Sequence, residues 1–146
     1  MKIINNIEPQ KKFDVTELLK FLASELKISD EVELMLFYNP KLLNALSTKD
    51  VEYNAILQNP IPHHYTLMLR DNLSSLHLIL CHEMIHLKQY ESGLLKQSSD
   101  FKTMSWKGID YDCSKGYFDR EWEEEAFTGQ TKLWRKFKKQ QKLDKE

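Results

Sequence analysis

Leu80-Cys81-His82-Glu83-Met84-Ile85-His86-Leu87 is the stretch that decides how this chain reads. It holds the pattern H-E-x-x-H. On an α-helix, residues four apart lie about 40° apart around the axis, so His82 and His86 project from one face. Two imidazoles at that spacing form half of a zinc site, and a glutamate beside the first can serve as general base for a water held there. The surrounding Leu76, Leu78, Ile79, Leu80, Met84, Ile85 and Leu87 make the helix apolar on most sides, as expected of a core element. Burying two imidazoles and a carboxylate among them is costly without a partner, and a metal ion is such a partner. The motif predicts a zinc-dependent hydrolase, with peptide hydrolysis the leading expectation. An ordinary buried helix carrying two histidines is the bland alternative.

Outward from this helix, the pattern predicts an α+β domain. Asp14 to Lys27 reads as a helix, with Asp14 as N-cap, Glu17 three residues on, and Leu18, Leu19, Leu22 and Leu26 as its stripe. Glu31 to Tyr38 alternates as a strand does, and Lys41 to Leu46 reads as a helical turn. Val51 to Gln58 and His64 to Arg70 are expected to form a hairpin around an Asn59-Pro60-Ile61-Pro62 turn. This makes a three-stranded sheet. The motif helix should run from Leu73 to about Glu91, capped by Asp71 or Asn72 and stopped by Gly93. Leu94 to Asp119 reads as irregular, with a small hairpin around Trp106-Lys107-Gly108-Ile109-Asp110-Tyr111. A long last helix begins near Glu121, acidic at its start and basic at its end, in keeping with the helix dipole.

Catalytic zinc takes three protein ligands and keeps one position for water, so a third ligand is needed. His77 lies five residues before His82, about 140° around the helix, and cannot share the metal. Position 92, where a third histidine often follows H-E-x-x-H, is Ser92. His63 and His64 sit before the helix and are expected in a turn or strand start. The acids of Glu121-Trp122-Glu123-Glu124-Glu125-Ala126-Phe127 remain. Glu123 is the first choice, because the small Ala126 three residues on shares its face and lets two helices approach. Glu125 is the alternative, or an acceptor for a ligand histidine N–H.

With these residues in view, His82-Glu83-Met84-Ile85-His86-Leu87-Lys88-Gln89-Tyr90 resembles the active-site helix of small glutamate-type zinc peptidases (gluzincins). It is similar in particular to the SprT-like metallopeptidases of phages and mobile elements. Those pair H-E-x-x-H-x-x-Q with a later W-x-G-x-x-Y and a P-W-E-x-E-A segment. Here these are Trp106 to Tyr111 and Trp122-Glu123-Glu124-Glu125-Ala126, with Glu121 where proline is usual. The likeness spans about residues 72 to 130. It implies a compact zincin-like fold, zinc and proteolysis of a peptide or protein substrate.

On this reading His82, His86 and Glu123 hold Zn²⁺ and Glu83 is the general base. A phenol, Tyr111 or Tyr117, is expected to steady the oxyanion, with Tyr117 the candidate. Gln89 is expected to brace the site. A catalytically inactive metal-binding module that regulates a partner is the competing reading, which Glu83 argues against. A third is a protease recruited to nucleic acid by Lys132, Arg135, Lys136, Lys138, Lys139, Lys142 and Lys145, though a solvated helix face is the favoured role for these bases.

Composition sets the frame. The 146 residues suit one domain spanning 1–146. A net charge of −1 gives no global attraction to nucleic acid or membrane. Cys81 and Cys113 make no disulfide framework. The polar Met1 to Gln10 is no secretory signal and no apolar run spans a bilayer, so a cytoplasmic location is expected.

Overall fold

A computed structural model of the chain describes residues 1–49, 52–98, 102–112 and 120–144. The architecture is α+β: four helices, a mixed four-stranded sheet and a separate three-stranded sheet.

The first helix, α1 (Val15–Glu25), starts where the sequence predicts. The Asp14 carboxylate accepts the Glu17 N–H at 3.0 Å, satisfying one of the orphan donors of the first turn. Leu18, Leu19 and Leu22 are fully buried. They face a sheet made of β1 (Lys2–Asn5), β2 (Glu33–Tyr38), β3 (Ala55–Ile61) and β4 (His64–Leu69), in spatial order β1-β2-β4-β3. The first three strands of that order run parallel, and β3 is antiparallel to β4. Register stacks Ile3 on Leu34 on Tyr65, and Leu36 on Leu67. Leu34, Leu36, Leu67 and Leu69 thereby reach full burial on the helix-facing side.

Three expectations change here. The sheet has four strands, because Lys2–Asn5 pairs with β2; four residues are too few to show a period among polar neighbours. The Asn59 to Pro62 segment is no turn. β3 runs on through Pro60 to Ile61, with a register shift between Gln58 and Ile61, and the chain reverses at Pro62 and His63. An edge strand tolerates a proline, whose missing N–H can face away from the ladder. The Lys41 to Leu46 turn is a short helix, α2 (Pro40–Leu46), with Pro40 in its first turn and the Asn39 side chain accepting from the Leu42 N–H.

The motif helix is α3 (Leu76–Glu91). It starts three residues later than expected, after Ser75, whose side chain makes no capping bond. Asn72 has a positive φ of 56°, a left-handed conformation that cannot continue into a helix. Gly93, with φ of 77°, follows the helix end.

The region read as irregular contains the second sheet, β5 (Leu95–Gln97), β6 (Thr103–Trp106) and β7 (Ile109–Asp112), in that order and antiparallel. The expected hairpin is its β6–β7 turn. Lys107 and Gly108 both have positive φ, 52° and 82°, as a type I′ turn requires. This sheet builds a small second core of Leu95, Met104, Trp106 and Trp122. Trp122 belongs to the first turn of α4 (Glu121–Asp144). It pins the start of α4 to the second sheet, while Phe137, Leu133 and Trp134 hold its far half on the main core.

Between these anchors α4 crosses α3 closely. Ala126 is fully buried, and a Cβ on Gly129 would meet the Ile85 Cδ1 at 2.7 Å. Small residues at the crossing, as the position of Ala126 suggests, set the distance at which side chains from the two helices meet. Among the described residues, no helix is long and apolar enough to cross a membrane.

Candidate metal centre

His82 and His86 project from α3 toward α4, and Glu123 projects back from the first turn of α4. The His82 Nε2 and His86 Nε2 atoms lie 3.1 Å apart. Glu123 places Oε1 2.8 Å from His86 Nε2 and Oε2 3.3 Å from His82 Nε2. Among the described residues this is a His/His/Glu group that could hold a metal ion. Ligand atoms at zinc–nitrogen bond lengths of about 2.0–2.1 Å in a tetrahedron are roughly 3.3 Å apart. The 3.1 Å between the two imidazole nitrogens is close to that value, and each of them faces a different oxygen of the Glu123 carboxylate.

The outer nitrogens of the two rings explain the orientation. His86 Nδ1 lies 2.8 Å from Gln89 Oε1, and His82 Nδ1 lies 2.8 Å from Gln130 Oε1. Gln89 has no freedom to turn its amide over. Its Nε2 donates to the Trp122 carbonyl and to Glu125 Oε1, both at 3.1 Å, and both of those atoms only accept. The amide oxygen must then face His86, so His86 Nδ1 carries the hydrogen and Nε2 keeps its lone pair in the neutral ring. Gln130 Oε1 lies behind His82 Nδ1; with the His82 hydrogen on Nδ1 as in His86, two Nε2 lone pairs and a carboxylate converge on one point. Three acceptors without a donor repel each other, and a cation or protons must compensate.

A proton held between an imidazole and the Glu123 carboxylate is one such compensation. Burial works to lower the His86 pKa, yet the hydrogen bond to Glu123 and the charges of Glu83 and Glu123 outweigh it and raise the pKa. Burial works to raise Glu123, and the hydrogen bonds from His82 and His86 outweigh that, holding its carboxyl well below the ordinary carboxylate range.

Glu83 sits beside this point and lines two cavities that His86 and Glu123 also line. Burial raises its pKa; the two imidazoles oppose the rise and the Glu123 carboxylate adds to it. A carboxylate with a raised pKa, next to a ligand set and open to a cavity, is suited to taking and returning a proton.

The remaining sequence candidates fall elsewhere. Glu125 acts on His86 through Gln89 and is absent from the ligand group. Gln89 braces His86, as expected. His63 and His64 lie at the β3–β4 turn, bound to Glu91 at 2.8 Å and Glu33 at 2.7 Å. His77 packs its ring against Trp134 at 4.5 Å. Tyr111 stands edge-on to Trp122 in the exposed strand β7. Tyr117 and Cys113 lie outside the described residues. Cys81 is a free, buried thiol whose pKa burial pushes up to about 12, so it supplies no thiolate at neutral pH.

Two residues escaped the sequence reading. Gln130 lies seven residues after Glu123, two turns along the same helix face, a spacing that could have flagged it once Glu123 was chosen. Phe127, four residues after Glu123, puts its ring 4.7 Å from that of His82 while 62% exposed.

Compared with protein families, characterised proteins and solved structures, the chain matches none.

Proposed function

We propose that this protein is a zinc-dependent peptidase, with His82, His86 and Glu123 as ligands and Glu83 as general base, built on a small zincin-like domain of the kind its motif resembles. One observation carries the reading: the Gln89 amide, locked by Trp122 and Glu125, turns the His86 lone pair inward to meet His82 and Glu123. Such outer partners, which fix the tautomer and aim the ring, accompany histidine ligands. The donor set of two imidazoles and a carboxylate suits zinc.

Zinc bound there would acidify a water and polarise a carbonyl. Glu83 takes the proton of the attacking water and delivers it to the leaving nitrogen. Strand β3 holds the substrate backbone. It is the edge of its sheet, and Ala55 and Leu57 line the two cavities that flank the triad. An extended peptide adding to that edge draws affinity from main-chain hydrogen bonds. Antiparallel pairing is the more stable choice, and it fixes the direction of the substrate opposite to that of β3. The cavity-facing Glu83 favours turnover over a silent metal site, because a purely structural centre has no use for a base.

Metal content after zinc repletion and desalting tests the reading. Wild type should hold about one zinc per chain, and His86→Ala and Glu123→Ala should hold none. Glu83→Gln should keep the metal while losing about 10²–10⁴-fold in peptide turnover. A wild type that retains no metal overturns the proposal.

A further inference from the structure

Two cavities share Glu83, His86 and Glu123 in their walls, and they differ in charge. The smaller, of about 170 Å³, is lined further by Leu57, Met104, Trp122 and Arg120. Among the described residues lining either cavity, Arg120 is the only arginine or lysine. Its guanidinium carbon lies 5.9 Å from the centre of the Trp122 ring, within the range at which an aromatic face attracts a cation. The Arg120 carbonyl accepts the Glu123 and Glu124 N–H groups, both at 3.0 Å. The residue is thereby fixed one turn ahead of the candidate ligand Glu123.

The sign of that charge matters because the smaller cavity is otherwise acidic. Glu83 and Glu123 are the carboxylates in its wall. A dication held by His82, His86 and Glu123 balances both, and Arg120 then leaves the space with an excess of positive charge. A groove continues from it. Leu57, Tyr90, Leu95 and Gln97 line both the small cavity and a further one that extends along β3 to Pro60. Among the described residues lining that groove, Lys96 is the only charged one. β3 runs from Ala55, in the wall of the larger cavity, to Leu57, in the wall of the smaller, and on to Pro60. A peptide antiparallel to β3 therefore passes Leu57 before it reaches Ala55. The small cavity and the groove receive the side chains that precede the scissile bond.

We infer that this enzyme selects an acidic residue immediately before the scissile bond, and that Arg120 determines that choice. The inference rests on the zinc-peptidase reading. A space of about 170 Å³ is close to the ~150 Å³ that encloses a benzene ring, which gives room for a glutamate side chain. Its methylenes meet Leu57 and Met104. Its carboxylate meets the guanidinium, whose planar fork donates two parallel hydrogen bonds to such a group. Glutamine has the same shape without the charge, so the pair separates charge recognition from bulk. A hydrogen bond between ions exceeds one to a neutral amide by about tenfold in affinity.

The test is hydroxamate binding to the zinc-loaded protein by calorimetry, with zinc content measured in parallel. Acetohydroxamate reports the metal alone. The α-hydroxamates of N-acetylglutamate and N-acetylglutamine carry their side chain on the N-terminal side of the metal-binding group and report the cavity. The glutamate compound should bind about tenfold more tightly than the glutamine compound in wild type. That ratio should fall to about one in Arg120→Gln and take an intermediate value in Arg120→Lys, whose ammonium keeps the charge without the fork. Because the ratio is taken within each variant, a change in zinc affinity common to both compounds cancels. If Arg120→Gln retains no zinc, the ratio in Arg120→Lys decides: an unchanged value overturns the assignment. Equal binding of the two compounds in wild type, with acetohydroxamate still bound, overturns the inference and leaves the metal reading intact. Loss of zinc and of acetohydroxamate binding in wild type overturns both. A preference that persists in Arg120→Gln places charge recognition elsewhere and overturns the assignment.

Discussion

At the β3–β4 turn His63 Nδ1 lies 2.8 Å from Glu91 and His64 Nδ1 lies 2.7 Å from Glu33; between α3 and α4, His86 Nε2 lies 2.8 Å from Glu123. The distances are alike and the chemistry is not. At the turn the two histidines share no carboxylate: His64 has Glu33, His63 has Glu91 and, at 3.8 Å, Glu31, and the second oxygen of Glu91 accepts from the Tyr65 hydroxyl at 2.7 Å. The rings are about half exposed. At the helix crossing two rings share one carboxylate, and each outer nitrogen is occupied by a glutamine oxygen. Proximity of histidine to acid therefore does not define a metal site. What the helix crossing adds is an amide oxygen behind each ring, which in His86 leaves the Nε2 lone pair facing the shared carboxylate.

The largest effect that separates the two places comes from removing the acid. Glu123→Ala should abolish zinc retention, whereas Glu91→Ala should leave zinc content at the wild-type level, both read by metal analysis after desalting. Zinc loss in Glu91→Ala would break the distinction.

The glutamines sharpen it. Gln89→Leu removes the oxygen that orients His86, and Gln130→Leu the one that orients His82. Loss of such partners typically costs about 10–100-fold in metal affinity. Competition with a chromogenic chelator should place both variants in that range. Glu125→Gln keeps an amide oxygen where Gln89 can donate and should cost less than Gln89→Leu. An unchanged affinity in Gln89→Leu would mean that the ring is held by packing alone.

How far the sequence carried this contrast depends on which forces set each part. α1 and α3 were legible because their apolar spacing and the Asp14 cap are local. The motif pair His82 and His86 follows from helix geometry alone, and Glu123 from its neighbour Ala126, since a helix crossing needs a small residue. The start of α3 differs because Asn72, a good cap by type, adopts a left-handed conformation, and the helix begins only after Ser75. β5 and the first strand of the four-stranded sheet left no signal, because strands of three or four residues are decided by their partners. Gln130 has no signature of its own on a polar helix face; only its seven-residue spacing from Glu123 points to it.

The smallest predicted effect concerns pH, and it takes opposite directions in the two places. The hydrogen bond to Glu91, then its charge, raises the pKa of His63, with Glu31 adding to the rise against a small opposing contribution from burial. A histidine with a raised folded-state pKa stabilises the fold fully below its unfolded value, about 6.5, and the gain disappears as pH rises through the folded value. His63→Gln should therefore lower Tm more at pH 5.5 than at pH 8.5, and only slightly, because the ring is exposed to solvent screening. At the helix crossing protons compete with the metal for Nε2, so zinc affinity should weaken as pH falls over the same interval. Acid is thus expected to tighten the turn and to weaken metal binding at the helix crossing. A thermal-melt series on the metal-free wild type and His63→Gln, run beside a zinc titration at each pH, reads both trends. If the His63→Gln difference were the same at both pH values, the turn pair would be a neutral hydrogen bond and the contrast between the two sites would lie in geometry alone.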